Sequence, residues 1–298
     1  GFDNGIKNLL TELYPDNAHF IYELLQNAED TEATEVKFSL KDNELIFQHN
    51  GRDFDFKDIE GITSIGQGTK KDDINKIGKF GVGFKAIFAY TNTPLIYSNQ
   101  YNFSINDLVI PIEIDKKNYD YPTTMIFPFD NKNKEPQIAY QEIKKGLSSI
   151  RDNTLLFLKN INKINYEYEN NLNQIMRDEI DNEKVSILNS ATKEKTNWLR
   201  FKQFLPKSNN LFVSIAYKLE ENIELKKEQI VPIDGEVSIY FPAEKETSKL
   251  RFHIHAPFSS TVARDSIKDI EENNILRDLI SKLIVESFKY IKENDYLN

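Results

Sequence analysis

The stretch D16-N-A-H-F-I-Y-E-L-L-Q-N-A-E-D30 constrains the fold most, because a helix through it cannot separate its acids from its apolar face. Asp16, after Tyr14-Pro15, is a fitting N-cap, and the spacing predicts a helix running to about Glu29. At roughly 100° per residue, Phe20, Ile21, Leu24, Leu25 and Ala28 fill one arc of about 140°, while Glu23, Asn27 and Asp30 cluster within about 60° beside it. Tyr22, Gln26 and Glu29 take the remaining side, where solvated residues belong. The polar trio therefore borders the core. It fits the ordinary shoulder of an amphipathic helix. It also fits the floor of a polar cleft, where a carboxylate orients water and a neutral amide oxygen meets a metal without adding repulsive charge.

Downstream, I77-G-K-F-G-V-G-F-K-A-I-F-A-Y90 places Gly78, Gly81 and Gly83 ahead of an apolar run with helical spacing. Glycines at this density let backbone N–H groups approach an anion, and a helix starting near Gly83 aims its positive end at the same point. A turn between helices satisfies the same pattern. The preceding G61-I-T-S-I-G-Q-G-T-K-K-D-D-I-N-K76 reads as a glycine-rich, solvated stretch of the kind that forms a lid. Between the helix and this segment, the strand-like E44-L-I-F-Q48 ends in His49-Asn50-Gly51-Arg52-Asp53, polar side chains at a strand end where a base can be read. Thr123-Thr124-Met125-Ile126-Phe127 is a further short strand after the Tyr121-Pro122 turn.

A chain of 298 residues that is 39% hydrophobic can bury a substantial core in one large domain or two ordinary ones. Without cysteine, thiolate zinc sites, cysteine nucleophiles and disulfides are excluded, so chemistry falls to oxygen and nitrogen groups. A net charge of −9 argues against a surface that is all nucleic-acid track and leaves room for a local basic patch. No apolar run reaches about 18 residues and no signal-like amino end is seen, which predicts a soluble, cytoplasmic protein with no membrane contact. Gly1 in place of Met suggests a piece of a longer protein. The Asn/Lys/Ile-rich tracts near 102–120, 131–136 and 159–183 read as polar loops or exposed edges.

From about residue 146 the pattern turns to strands, then to a long helix from about Ile270 to Lys292 whose Leu276, Leu279, Ile280, Leu283, Ile284, Phe288 and Ile291 keep a helical period. His253 and His255 alternate on one strand, which favours packing over a metal pair.

With these stations in order, the sequence resembles the GHKL, or Bergerat-fold, ATPases, and within them the sacsin-like branch, most strongly over residues 1–130. E23-L-L-Q-N-A-E-D30 is similar to the family's E-x-x-x-N-x-x-D box and I77-G-K-F-G-V-G-F-K85 to its second glycine box. The resemblance implies an α+β fold: a Bergerat α/β sandwich over 1–145, its mixed sheet covered by helices on one face, then a smaller transducer-like α/β domain over 146–298 with further domains beyond. It implies Mg2+-dependent binding and slow hydrolysis of ATP. Glu23 falls at the general base and Asn27 at the magnesium ligand, with Asp30 supporting both. Gly78, Lys79, Phe80, Gly81, Val82 and Gly83 fall at the phosphate loop, and Thr124 at the threonine beside the adenine pocket. Arg264, in the turn after the His253–Phe258 segment, is the candidate sensor of the γ-phosphate.

One position departs from the family. Its D-x-G-x-G box supplies an aspartate that accepts from the adenine amino group; here the chain reads His49-Asn50-Gly51-Arg52-Asp53. The acceptor passes to Asn50, to a neutral His49 nitrogen or to a displaced Asp53, and a neutral acceptor weakens adenine recognition by ~1 kcal/mol, roughly fivefold. The family also implies ATP and ADP as ligands and a nucleotide-dependent homodimer. A non-hydrolysing, nucleotide-dependent interaction module is the alternative, and binding to nucleic acid is left open.

Overall fold

The structure is a computed structural model that describes residues 19–63, 83–259 and 267–297, with backbone alone at 244 and 245. The chain forms two compact units that exchange segments: residues 1–150 with 159–174, and residues 151–158 with 175–298. The expected boundary at 145/146 falls near the first crossing, but the order of the chain gave no sign of the exchange.

In the first unit the chain runs through α1 (Phe20–Asp30), β1 (Glu35–Lys41), β2 (Glu44–His49), α2 (Phe56–Thr63), a 3₁₀ helix (Phe84–Ala89), β3 (Leu95–Ser98), β4 (Tyr101–Asn106), β5 (Ile110–Glu113), β6 (Thr123–Pro128), α3 (Pro136–Ser148) and β7 (Lys163–Tyr168). Its strands pair in the order β7-β1-β2-β6-β3-β4-β5, parallel between β7 and β1 and antiparallel elsewhere. Side chains of a strand alternate between faces, and directly paired residues share one. Register therefore puts Val36, Phe38, Leu45, Phe47, Ile96, Met125 and Phe127 on one apolar face, all buried. Lys37, Ser39, Gln48, Tyr97 and Thr124 lie on the other face. The 3₁₀ helix sits over the apolar face, with Phe84 edge-on to Phe127 at 6.3 Å, and α1 packs beside it, with Phe20 against Tyr90 at 5.2 Å.

Three expectations change. The segment after Gly83 is a 3₁₀ helix, not an α-helix. The tracts at 102–120 and 159–183 include strands with buried residues, among them Phe103, Ile164 and Tyr166, because a strand with one apolar side looks polar on average. Finally, most of the expected wet side of α1 is covered: Gln26 and Glu29 are nearly as buried as Leu24, and of the three only Tyr22 is half-buried. The Glu29 carboxylate accepts N–H groups from Lys159, Asn160 and Ile161, each at 2.8 Å, so an acid at an apparent surface position is the anchor for the returning chain.

The second unit contains β8 (Asn171–Glu179), which begins in the first, then β9 (Lys184–Asn189), β10 (Glu194–Phe204), β11 (Phe212–Asn222), β12 (Lys227–Val231), β13 (Glu236–Ile239), β14 (Phe241–Thr247), β15 (His253–His255) and α4 (Glu271–Glu293). Strands pair β8-β9-β10-β11-β15-β13-β14, with β12 on β11 and a parallel pair between β13 and β15. Leu276, Ile280, Leu283 and Ile291 of α4 join Val213, Ile215 and Tyr217 of β11 in one apolar cluster. Both histidines of β15 are buried: Nδ1 of His253 accepts from Glu236 N, and Nδ1 of His255 from Tyr240 N. The second bond holds Tyr240 in a left-handed conformation (φ 67°), unusual for a bulky residue. The two units are thus large mixed sheets with few helices, as an α+β fold requires.

Candidate functional site

α1 carries the candidate chemistry, and its polar trio is not directed into bulk solvent. Glu23 is 7% exposed and Asn27, one turn on, is 5% exposed; Asp30 is half-buried at the helix end. His19 Nε2 stands 4.0 Å from Glu23 Oε1. Among the described residues the amide nitrogen of Asn27 is buried with no hydrogen-bond partner, a costly state for a group that could have been apolar.

Gly83 lies directly on the Glu23 carboxylate. A Cβ added there would sit 2.0 Å from Oε2 and 2.1 Å from Cδ, so only glycine lets the backbone approach this closely. The structure thus brings Gly83 against Glu23, with Asn27 one turn further along the helix. Gly78, Lys79, Phe80, Gly81 and Val82, and Arg264 of the second unit, lie outside the described residues. Lys85, which sequence reasoning passed over, is buried two residues beyond Gly83; its ammonium donates to Ile62 O at 2.6 Å and Leu108 O at 2.5 Å, and burial lowers its pKa to about 8.

The loop after β2 hangs on the end of the same helix. Gly51 packs on Thr31, where a Cβ would come within 2.2 Å of Oγ1, and Arg52 N donates to Thr31 O at 2.9 Å. Arg52 grips the fully buried Asp58 with two bonds of 2.6 and 3.1 Å, which raises the arginine pKa. Asp55 and Asp58 exchange backbone and side-chain bonds as a capping box that starts α2. That D-x-x-D pattern was visible in the sequence and went unread.

Within this loop the base-reading candidates separate. The carbonyl oxygen of Asn50 accepts from Thr34 N and Glu35 N, both at 2.9 Å, and its amide donates to Thr34 Oγ1 at 2.8 Å. Asn50 is a structural tie, already engaged on both sides. Asp53 lines a cavity of about 250 Å³ with Tyr97 and Asn102, residues of the polar face of the sheet. Thr124 shares that face, bonded to Gln48 at 3.1 Å, so it does not accompany His49. Its neighbour does: His49, Thr123 and Ser98 form a polar row across β2, β6 and β3 at the end of the apolar face, with Thr123 and Ser98 hydroxyls 2.8 Å apart. The two threonines are one residue apart, which in a strand puts them on opposite sides.

His49 is fully buried, and desolvation, with a smaller effect of the Arg52 charge, lowers its pKa to about 3. Its Nδ1 accepts from Gly51 N at 3.2 Å, and its Nε2 is buried without a partner among the described residues. Among the described residues no group of three or more acidic or histidine side chains gathers to hold a metal. A divalent cation at Asn27 would accordingly depend on ligand phosphates for most of its oxygens, as magnesium commonly does. No helix among the described residues is long and apolar enough to cross a membrane.

Comparison with known proteins gives this geometry a family context. The Sacsin domain model matches residues 42–113, from the start of β2 to the end of β5. Human sacsin is 33% identical over 115 residues, 32% of this chain and 2% of sacsin. Protein NO VEIN of Arabidopsis thaliana is 26% identical over 298 residues, 88% of this chain and 11% of that protein. A putative type II restriction enzyme, HgiDII of Herpetosiphon aurantiacus, is 31% identical over 102 residues, 32% of this chain and 17% of its own length. Among solved structures, the N-terminal domain of a DNA repair protein matches with a TM-score of 0.51 at 11% identity, covering 95% of this chain and 97% of that one, a likeness of fold alone. The chain spans a small part of each of these curated relatives, and the similarity to sacsin lies in one part of it, with the Sacsin domain match confined to residues 42–113.

Proposed function

We propose that the chain is a GHKL-type, Bergerat-fold domain that binds ATP with Mg2+ and hydrolyses it slowly, its nucleotide state governing the conformation or assembly of a larger protein. The observation that carries this reading is the contact of Gly83 with the buried Glu23 carboxylate, one helical turn from an amide whose nitrogen has no partner among the described residues. Glu23 is held where it can accept a proton from a water and aim it. Asn27 offers a neutral oxygen beside it. When bound, the cation offsets charge developing on the phosphoryl oxygens. At Gly83 itself no Cβ keeps an anion from the backbone. In this reading Gly78, Lys79, Phe80, Gly81 and Val82 complete the phosphate cradle, Asp30 supports it and Arg264 senses the γ-phosphate. Nucleotide-dependent dimerisation and action on other domains of the full-length protein belong to the same proposal.

The test is phosphate release by the purified chain. Glu23→Ala should retain nucleotide binding while hydrolysis drops by at least about 100-fold, the usual scale for loss of a positioned base; hydrolysis at the unsubstituted rate removes Glu23 from the mechanism. Asn27→Ala should lose magnesium-dependent binding by calorimetry. The histidine at the base-reading position favours a second reading, a nucleotide-dependent interaction module without turnover. Binding with no phosphate release by the unsubstituted chain selects it.

A further inference from the structure

Among the buried polar groups of the first unit, the mechanism above leaves His49 Nε2 unused. A backbone N–H can only donate, so the bond from Gly51 N requires a lone pair on Nδ1, and the single proton of the neutral ring then resides on Nε2. The pKa of about 3 keeps the ring in that neutral state throughout the physiological range. His49 thus presents an N–H donor, buried and unmatched among the described residues. Beside it on the same face stands the Thr123 hydroxyl, which retains an accepting lone pair whichever way its bond to Ser98 runs.

We propose that this donor and acceptor pair reads the base, so that the site prefers a 6-oxopurine nucleotide, of the guanine or hypoxanthine kind, to an adenine nucleotide. A 6-oxopurine offers an oxygen acceptor at C6 and an N–H donor at N1, which complement the imidazole N–H and the threonine oxygen. Adenine sets its amino group against the His49 donor, whereas the Thr123 hydroxyl, whose bond to Ser98 runs either way, suits N1 of either base, so the discrimination falls on His49. The inference rests on the nucleotide reading above and specifies the base. A ligand that leaves a buried donor unmatched is commonly rejected by tenfold or more.

The experiment is calorimetric titration of the whole chain with ATP, ITP and GTP, each with magnesium. ITP differs from ATP only at positions 1 and 6 of the ring. ITP and GTP should bind at least about tenfold more tightly than ATP. His49→Asp, which substitutes an acceptor, should reverse the order, whereas His49→Gln, which keeps an amide donor, should preserve it; thermal melts establish that each variant is folded. Binding of ATP equal to or tighter than ITP by the unsubstituted chain overturns the base assignment and leaves the nucleotide site standing. An ITP preference unchanged in a folded His49→Asp variant overturns the role of residue 49. No binding of any of the three overturns the nucleotide reading together with this one.

Discussion

At the scale of single residues, the candidate site depends on what is missing from Gly83 as much as on what Glu23 carries. An added methyl group would occupy the space of the carboxylate, and the flexible end of a side chain yields before backbone does. Gly83→Ala is therefore expected to turn Glu23 away at a modest stability cost, about 1 to 3 kcal/mol, while phosphate release falls at least tenfold. Paired denaturant titrations and turnover assays check this; unchanged turnover in a folded variant means that the contact has no bearing on catalysis. His49, Thr123 and Asn50 mark the limit of motif reading at this scale. The motif located the loop, but the face on which each side chain lies follows from strand register, and the use of Asn50 as a tie follows from contacts with Thr34 and Glu35 fifteen or so residues earlier.

At the scale of elements, α1 was the most legible part of the chain and also the most misread. Periodicity found the helix, its apolar arc and the polar trio at its margin, and β2, β6 and α4 appeared within a residue or two of their expected bounds. The supposed solvated side failed because Glu29 is satisfied by three N–H groups about 130 residues distant, a long-range match that no local window contains. An amide keeps one oxygen for the Lys159 and Asn160 N–H groups but removes the charge and sets an NH2 donor against the Ile161 N–H. Glu29→Gln should cost about 3 kcal/mol by chemical denaturation, well above the range for a surface exchange; a loss under about 0.5 kcal/mol would argue that water replaces the lost bonds. The segments around Gly78 and Arg264 contribute nothing to this comparison, since they fall outside the described residues.

At the scale of the molecule, each unit has a fully buried histidine with a pKa of about 3, His49 in the first and His255 in the second, and burial lowers His253 as well. Both fall below the ordinary value of 6.5, so the unfolded chain binds more protons between those limits. Stability is complete above about pH 6.5 and declines as pH falls toward 3, by about 1.4 kcal/mol per pH unit for each such histidine. Melting temperature should drop steadily between pH 6.5 and 5, and His255→Asn, which can keep an acceptor for Tyr240 N, should remove about a third to a half of that slope; an unaltered slope would point to carboxylates instead.

The exchange of segments also decides which fragments can exist. A chain ending at residue 145 lacks β7, the parallel partner of β1, and the N–H groups that satisfy Glu29; it is expected to aggregate, whereas 1–174 should remain soluble. Size-exclusion chromatography of the two fragments separates these outcomes. The same arrangement sets a schedule on the ribosome. β1 leaves the exit tunnel 122 residues before β7 begins, so at ordinary elongation rates its outer edge waits roughly 6 to 25 s for its neighbour. An open strand edge is a template for any other nascent chain, and a protein wired this way places its period of greatest exposure in translation, before folding is complete.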